Sequence, residues 1–410
     1  MTTTNQLIPH LFRQEFAKMT AVLCRHFGLL YLETAEDIAG ETFLKASEYW
    51  AVHGIPDNPV AWLYTVAKNK ARDHIRHNTI FRDKVSRELK ADGIFEENSF
   101  EVDDRIIADS QLAMIFAVCN PANPPESQIA LALQILCGFS VEEIADAFLA
   151  KAETIKKRLH RARSRLRNDN FRIKDLAGKE VAERMETVLK TLYLLFNEGY
   201  FSRSNNRTVR KELCCEAMRL TLVLTQNPLT DSPDSNALLA LMCFQSSRLE
   251  ARMNEEGELI LFEDQDRALW DNELIHKGNN FLVNACTGDK ISKYHLEAGI
   301  AYWHTTAATT DKWKPILQLY NELVIIEYSP VTALNRTFAY AMVHGNEMAI
   351  TEAEKLNLPE SSHYHALLGY LYSDVNADNA ARHYKEAIRI TKVKAEKQTL
   401  QKKLVQLQKG

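Results

Sequence analysis

The stretch from Ser140 to Arg167, SVEEIADAFLAKAETIKKRLHRARSRLR, restricts the folds open to this chain more than any other. Ser140 followed by Glu143 is a capping-box pair: the hydroxyl accepts from the backbone N–H of Glu143, and the carboxylate reaches back to the N–H of the cap. This predicts a short helix from Val141 to about Phe148, with Ile144, Ala145 and Phe148 on one face, and a turn at Leu149-Ala150-Lys151. A second helix is predicted from about Glu153, with Ile155, Leu159, Ala162 and Leu166 as its apolar stripe. Its other faces carry Lys156, Lys157, Arg158, His160, Arg161, Arg163, Arg165 and Arg167. A helix pinned by its stripe, with cationic outer faces, suits the major groove and the phosphates beside it. Thr154, Lys156, Lys157 and His160 are placed to face base edges, and Arg161, Arg163, Arg165 and Arg167 to meet phosphates. Arg158 lies on the same cationic surface. The pattern also describes a surface helix with a solvated basic face, so this stretch alone leaves both readings open.

The rest of the chain reads as helical too. With 14 Gly and 11 Pro in 410 residues, and long runs of Ala, Leu, Glu and Lys at helical spacing, the composition favours an all-α fold of two or three domains. The net charge of −4 argues against a generic polyanion binder. Nucleic-acid contact would have to come from two local clusters, Lys68 to Lys90 and Lys151 to Lys174. Seven cysteines without Cys-x-x-Cys spacing suggest a reducing compartment and buried thiols. No basic-then-apolar leader or membrane-length apolar window is present, so a cytoplasmic protein without membrane contact is expected.

Residues 7–78 read as a compact helical bundle. Phe12, Phe16, Met19, Leu23 and Phe27 form one stripe, which Gly28 is placed to end. In AEDIAGETFLKASEYW, Ile38, Thr42, Phe43 and Ala46 are expected to pack inward, with Asp37, Glu41, Lys45 and Glu48 outside. The loop HGIPDNP leads into VAWLYTVAKNKARDHIRH, whose Trp62, Leu63, Val66, Ala67 and Ile75 face a core while Lys68, Asn69, Lys70, Arg72, Arg76 and His77 point outward. A polar loop followed by a helix with Trp, Tyr and cations is a candidate single-strand-binding surface, because unstacked bases need apolar walls and their backbone needs positive charge. Trp62 fits a core position equally well. Residues 79–111 pass from basic (Arg82, Lys84, Arg87, Lys90) to acidic (Asp92, Glu96, Glu97, Glu101, Asp103, Asp104, Asp109) and read as a mobile linker. Helices are then expected over Leu112–Cys119 and Glu126–Cys137.

The two blocks AEDIAGETFLKA and NPVAWLYTVAKNKARDHIRH, then the acidic linker, then the Ser140–Arg167 stretch, resemble bacterial sigma factors of the extracytoplasmic-function group. The resemblance covers roughly Leu7 to Arg167. It implies core RNA polymerase and promoter DNA as partners. By this likeness AEDIAGETFLKA, with Asp37, Glu41, Phe43 and Lys45, corresponds to the segment that docks on the polymerase clamp helices. Asn58, Trp62, Lys68, Asn69, Arg72 and Arg76 would melt and read the minus-ten element. Residues 112–172 would form the minus-thirty-five domain, read through Thr154, Lys156, Lys157, Arg158, His160, Arg161 and Arg163. The linker would either thread polymerase channels or serve as a plain tether.

Residues 173–410 exceed what such a factor needs. VLKTLYLLFNEGYFSRS carries Leu192, Leu195, Phe196 and Tyr200 as an apolar run, and Tyr193, Asn197 and Glu198 are expected mainly to pack. In FEDQDRALWD, Phe262 to Asp271, the closely spaced Glu263, Asp264, Asp266, Arg267 and Asp271 read better as a salt-bridged helix start than as a metal or acid–base site. His295 and His304 read as ordinary helix residues. WKPILQLYNELVIIEYSPVTALNRTFAYAMVHGNEMAI and HALLGYLYSDVNADNAARHYKEAI show a helix–turn–helix cadence with small residues near tetratricopeptide positions, among them Ala333, Ala339, Gly345, Gly369, Ala380 and Ala387. Such a stack offers a concave surface for a regulatory protein or peptide. The NEGY, EDQDR and SPVTALNR stretches make the whole chain resemble the sigma-factor subgroup with a large tetratricopeptide-like C-terminal extension, in which the extension is thought to take over control. The expectation is a promoter-specificity subunit without cofactor, metal or catalytic residues. A helix-turn-helix regulator with a repeat-based sensor, or an enzyme centred on Glu263 to Asp271, are the rival readings.

Overall fold

A computed structural model of the chain describes residues 4–85, 103–168, 171, 176, 178–200, 207–252, 260, 262–305 and 312–408. Their regular structure is entirely helical, with eighteen α-helices and a few short 3-10 and π turns among the described residues. The chain divides into two compact units, Met1–Leu195 and Phe196–Gly410.

In the first unit, α1 (Thr4–Phe27) buries Met19, Leu23 and Phe27 and ends at Gly28, whose φ of 83° suits a residue without Cβ. α2 (Leu32–His53) turns Ile38, Thr42, Phe43 and Ala46 inward and leaves Asp37, Glu41, Lys45 and Glu48 exposed, as its spacing requires. α3 (Pro59–Val85) starts where Asn58 Oδ1 accepts the Ala61 N–H at 3.0 Å and Pro59, with no N–H to satisfy, occupies the first turn.

The fourth helix begins earlier than its apolar pattern indicates. α4 (Asp104–Val118) is capped by Asp103, which accepts from the Ile106 N–H at 2.7 Å, and it buries every residue from Ser110 to Val118. Its first turns therefore fall inside the stretch read as linker, because the acidic residues that suggest a solvated tether also favour a helix N-terminus. Arg87, Lys90, Asp92, Glu96, Glu97 and Glu101 lie outside the described residues, as do the side chains of Ile75, His77, Arg82 and Lys84. α5 (Pro125–Leu131) passes into a π turn at Ala132–Leu136 and stops at Gly138, so the expected helix up to Cys137 is α only in its first half. α6 (Val141–Ala147) and α7 (Ala152–Arg167) follow, and α8 (Gly178–Tyr200) buries Leu192, Leu195, Phe196 and Tyr200.

The second unit opens with α9 (Arg207–Thr225) and α10 (Pro233–Ser246). α10 is buried continuously from Ser235 to Phe244, and α9, α11 (Asn272–Ala285) and α12 (Lys293–Thr305) pack around it. A helix apolar on every side has to be wrapped in this way. From α13 (Trp313–Ile326) the helices pack mainly on their chain neighbours: α14 (Pro330–His344), α15 (Asn346–Leu356), α16 (Ser362–Tyr372), α17 (Ala377–Ile390) and α18 (Lys394–Leu407). Small residues set the spacing. Ala380 and Ala387 are fully buried, and a Cβ on Gly369 would come within 2.7 Å of the Tyr384 ring. Of the seven thiols, five are buried as expected, whereas Cys215 and Cys286 are exposed.

Candidate nucleic-acid interface

The helix-turn-helix forms from the local signals described above. Glu143 N–H donates to Ser140 Oγ at 3.2 Å and Ser140 N–H to Glu143 Oε2 at 2.8 Å, closing the capping box. The turn then takes Leu149 into the left-handed region at φ 48°, and Ala150 N–H returns to the Ala145 carbonyl at 2.9 Å. α7 buries Ile155, Leu159, Ala162 and Leu166 and no other residue along its length. At about 1.5–3 kcal/mol for each large aliphatic side chain removed from water, this stripe suffices to hold a helix that is otherwise strongly charged.

The opposite face is open. Thr154, Lys156, Lys157, His160 and Arg161 are exposed, and Lys156, Lys157, His160 and Arg161 line one surface depression. Arg158 is partly covered, its guanidinium 5.6 Å from the centre of the Phe148 ring. Arg163 stands apart. Its Nη1 and Nη2 each donate to Glu36 at 2.7 Å and its Nε to Gln134 Oε1 at 3.0 Å, with 14% of the side chain exposed. Burial lowers the Arg163 pKa and the Glu36 carboxylate raises it, with a net rise, so the guanidinium stays charged. Arg167 pairs with Glu33 at 3.1 Å, and Arg165 donates to Asn123 Oδ1 at 3.3 Å. Three of the arginines read as phosphate contacts thus hold partners within the chain, and two of those partners lie on α2.

A second surface lies where α2 meets the loop before α3. Trp62 is half-buried: its ring stacks 5.6 Å from Tyr49 and stands edge-on 5.3 Å from the buried Trp50. Tyr49, 44% exposed, stacks in turn on His53 at 4.1 Å. Sequence periodicity did not single out Tyr49 or His53; the only hint was the Tyr-Trp pair just ahead of HGIPDNP. Beyond this ladder Asn69, Arg72 and Arg76 are exposed and Lys68 is half-buried, while the Asn58 side chain caps α3. Aromatic faces flanked by cations are the chemistry that unstacked bases and their phosphates require.

Of the residues assigned to polymerase contact, Asp37, Glu41 and Lys45 are exposed, and Glu41 pairs with Lys70 at 2.6 Å. Phe43 is 5% exposed and packs 5.1 Å from Phe12 and 6.5 Å from Phe16, so it holds α2 in place and offers little surface. In the second unit the FEDQDRALWD carboxylates cap helices: Asp266 accepts from the Ala268 N–H at 2.9 Å and Asp271 from the Leu274 N–H at 3.0 Å. The Glu263 side chain lies outside the described residues. His295 bridges Ser292 and the Ala285 carbonyl.

Sigma-70 region 2 matches residues 11–80, and sigma-70 region 4 matches residues 124–166. A family of unknown function (DUF6596) matches residues 184–286. An uncharacterized protein of Rhizobium meliloti (strain 1021) is 33% identical over 359 residues, covering 86% of this chain and 84% of its own length. No solved structure matches the chain. None of the described helices is long and apolar enough to cross a membrane. The chain belongs to the same family as the Rhizobium meliloti protein and is, through its regions 2 and 4, a sigma-70 family sigma factor that directs transcription initiation with core RNA polymerase on promoter DNA.

Proposed function

We propose that this sigma factor is of the extracytoplasmic-function kind, cytoplasmic and without catalytic chemistry of its own, and that its tetratricopeptide-like C-terminal extension controls it. The observation that carries the DNA reading is the exposed row Thr154, Lys156, Lys157, His160 and Arg161 on a helix whose opposite stripe is buried. These residues read the minus-thirty-five element from the major groove. The Tyr49–Trp62 ladder, with Lys68, Asn69, Arg72 and Arg76, receives unstacked bases of the minus-ten element. Asp37, Glu41 and Lys45 face the polymerase.

Control follows from two sets of contacts in the first unit. The Arg163–Glu36 fork ties the helix-turn-helix to α2, and a factor reading two separate promoter elements at once has to release it. α8, the lead-in to the extension, braces the same domain: Thr191 Oγ1 donates to Gln128 Oε1 at 2.6 Å and Arg184 Nη1 to the Phe116 carbonyl at 3.3 Å. In this reading the extension acts through α8 on the closed pairing of α2 and α7.

Transcription from a fragmented genomic library by core polymerase tests both parts. The full chain is expected to direct specific starts, and versions ending at Arg172 or at Leu195 to change their output strongly. Unchanged output from both truncations would overturn control by the extension, and failure of the full chain to bind core polymerase would overturn the polymerase contacts.

A further inference from the structure

The second unit holds an arginine that its own described residues leave without a counter-charge. Arg248 follows α10 and is largely withdrawn from solvent. Its partners are all neutral: one Nη donates to Tyr200 Oη at 3.2 Å, and the guanidinium lies 5.0 Å from the Phe262 ring centre and 5.9 Å from that of Trp270. Its Nε is buried with no hydrogen-bond partner. Burial lowers the Arg248 pKa; Tyr200 works against this and Arg252 with it, and the net shift is downward. A guanidinium does not escape this by losing its proton.

The surroundings repeat the pattern. Trp270 is 7% exposed and its indole Nε1, a donor only, is buried without an acceptor. His304 stands edge-on to Phe262 at 4.8 Å and to Trp313 at 5.6 Å, with a buried Nδ1 that has no partner. Lys312 brings another cation, its Nζ 5.2 Å from the Phe262 ring centre. The nearby carboxylates Asp266 and Asp271 are engaged as helix caps. Buried polar groups in folded proteins are satisfied nine times in ten or more, and buried charges are paired. Here the Arg248 guanidinium and the Trp270 N–H, from separate segments, flank one aromatic ring with no described carboxylate paired to either.

We propose that the extension binds a small molecule through an oxyanion, carboxylate or phosphate, which sits on Arg248 and takes the free Nε and the Trp270 N–H, with the Phe262 and Trp270 rings as an apolar wall. A carboxylate or phosphate presents the two acceptors that an arginine fork and a neighbouring N–H require, and it supplies the missing negative charge. This makes the extension a ligand sensor, a role independent of the promoter-reading residues.

The test uses the full chain. Thermal unfolding, followed by tryptophan fluorescence, is measured against rising sodium phosphate and, separately, sodium benzoate, with sodium chloride at matched ionic strength as reference. A saturable rise of about 3 °C or more over chloride is expected for at least one anion, and less than about 1 °C for Arg248→Met. Arg248→Met in chloride is expected to melt no lower than the native chain, because it removes an uncompensated charge. Arg248→Lys keeps the charge but loses the fork, and its half-maximal anion concentration should rise at least about fivefold. A response to phosphate alone assigns a phosphate ligand, to benzoate alone a carboxylate on the aromatic wall, and to both a general oxyanion site. Absence of a rise with either anion, or the same rise and midpoint in the native chain and both variants, would overturn the proposal.

Discussion

Arg163 and Arg248 are both arginines drawn away from water, and the two units treat them in opposite ways. Arg163 meets a carboxylate 127 positions earlier in the chain through two 2.7 Å bonds, and Gln134 Oε1 accepts its Nε–H. Arg248 meets a phenol and two ring faces, and its Nε meets no partner among the described residues. A partly buried cation paired with a carboxylate serves as a fastener between elements, here between α7 and α2. An unsatisfied one leaves free energy to be gained from an anion that no described residue supplies. The packing differs in the same sense. The first unit joins helices far apart in sequence through a charged fork, whereas the second stacks most of α13 to α18 neighbour on neighbour through small residues.

Removing the carboxylate gives the largest expected effect. Glu36→Ala leaves a partly buried guanidinium unpaired and should destabilise the first unit by about 2–3 kcal/mol, somewhat below the loss for a wholly buried pair. Denaturant unfolding measures this, and the exchange Glu36→Arg with Arg163→Glu should recover most of it. If Glu36→Ala were as neutral as Arg248→Met is expected to be, the contrast between the two arginines would fail. The same Glu36→Ala chain should bind minus-thirty-five DNA more tightly, as Arg163 becomes free to meet phosphate; a gel-shift titration reads this.

Close packing in the second unit comes next. Gly369→Ala places a methyl group against the Tyr384 ring, and a loss of about 1–3 kcal/mol is expected, read by hydrogen exchange as faster opening of α16 and α17 with the first unit unchanged. A comparable loss of protection in α7 would show that the two units do not respond separately.

Ser140→Ala removes the reciprocal cap of α6 and should lower stability by about 1 kcal/mol, measured by denaturant unfolding. Its effect should be confined to the helix-turn-helix.

Acid probes the second unit alone, through two histidines. Burial, with Arg248 and Lys312, pulls the His304 pKa down to about 3, and burial, with His365 and Arg382, pulls that of His383 down to about 4. Both imidazoles are therefore neutral when folded and take up a proton on unfolding below about pH 6.5. Their contribution is present above that pH and is lost as pH falls toward 4, so the second unit should weaken over this window. Melting curves of His383→Gln should show a shallower decline; an unaltered slope would remove this residue from the account.

Much of the first unit was legible beforehand because its signals are local. The capping box, the α7 stripe, the Gly28 stop and the inward set on α2 each follow from residues within two turns of one another, where helical geometry leaves few choices. The acidic run ahead of α4 was ambiguous for the same reason, since one composition serves both a solvated tether and a helix start. Arg163 looked like any other cation on its helix, and Tyr49 like any other residue beside a tryptophan.

The sequence by itself therefore determined the helices, their faces and the exposed basic row on α7, because periodicity and capping act over a few residues. Only the tertiary structure decided which arginine is fastened, which is left open and which aromatic rings share a surface. Those outcomes depend on Glu36 reaching Arg163, on Tyr49 reaching Trp62 and on Phe262 closing over Arg248. Burial and partnership between distant residues are set by how the helices pack, and no short window of sequence carries that information.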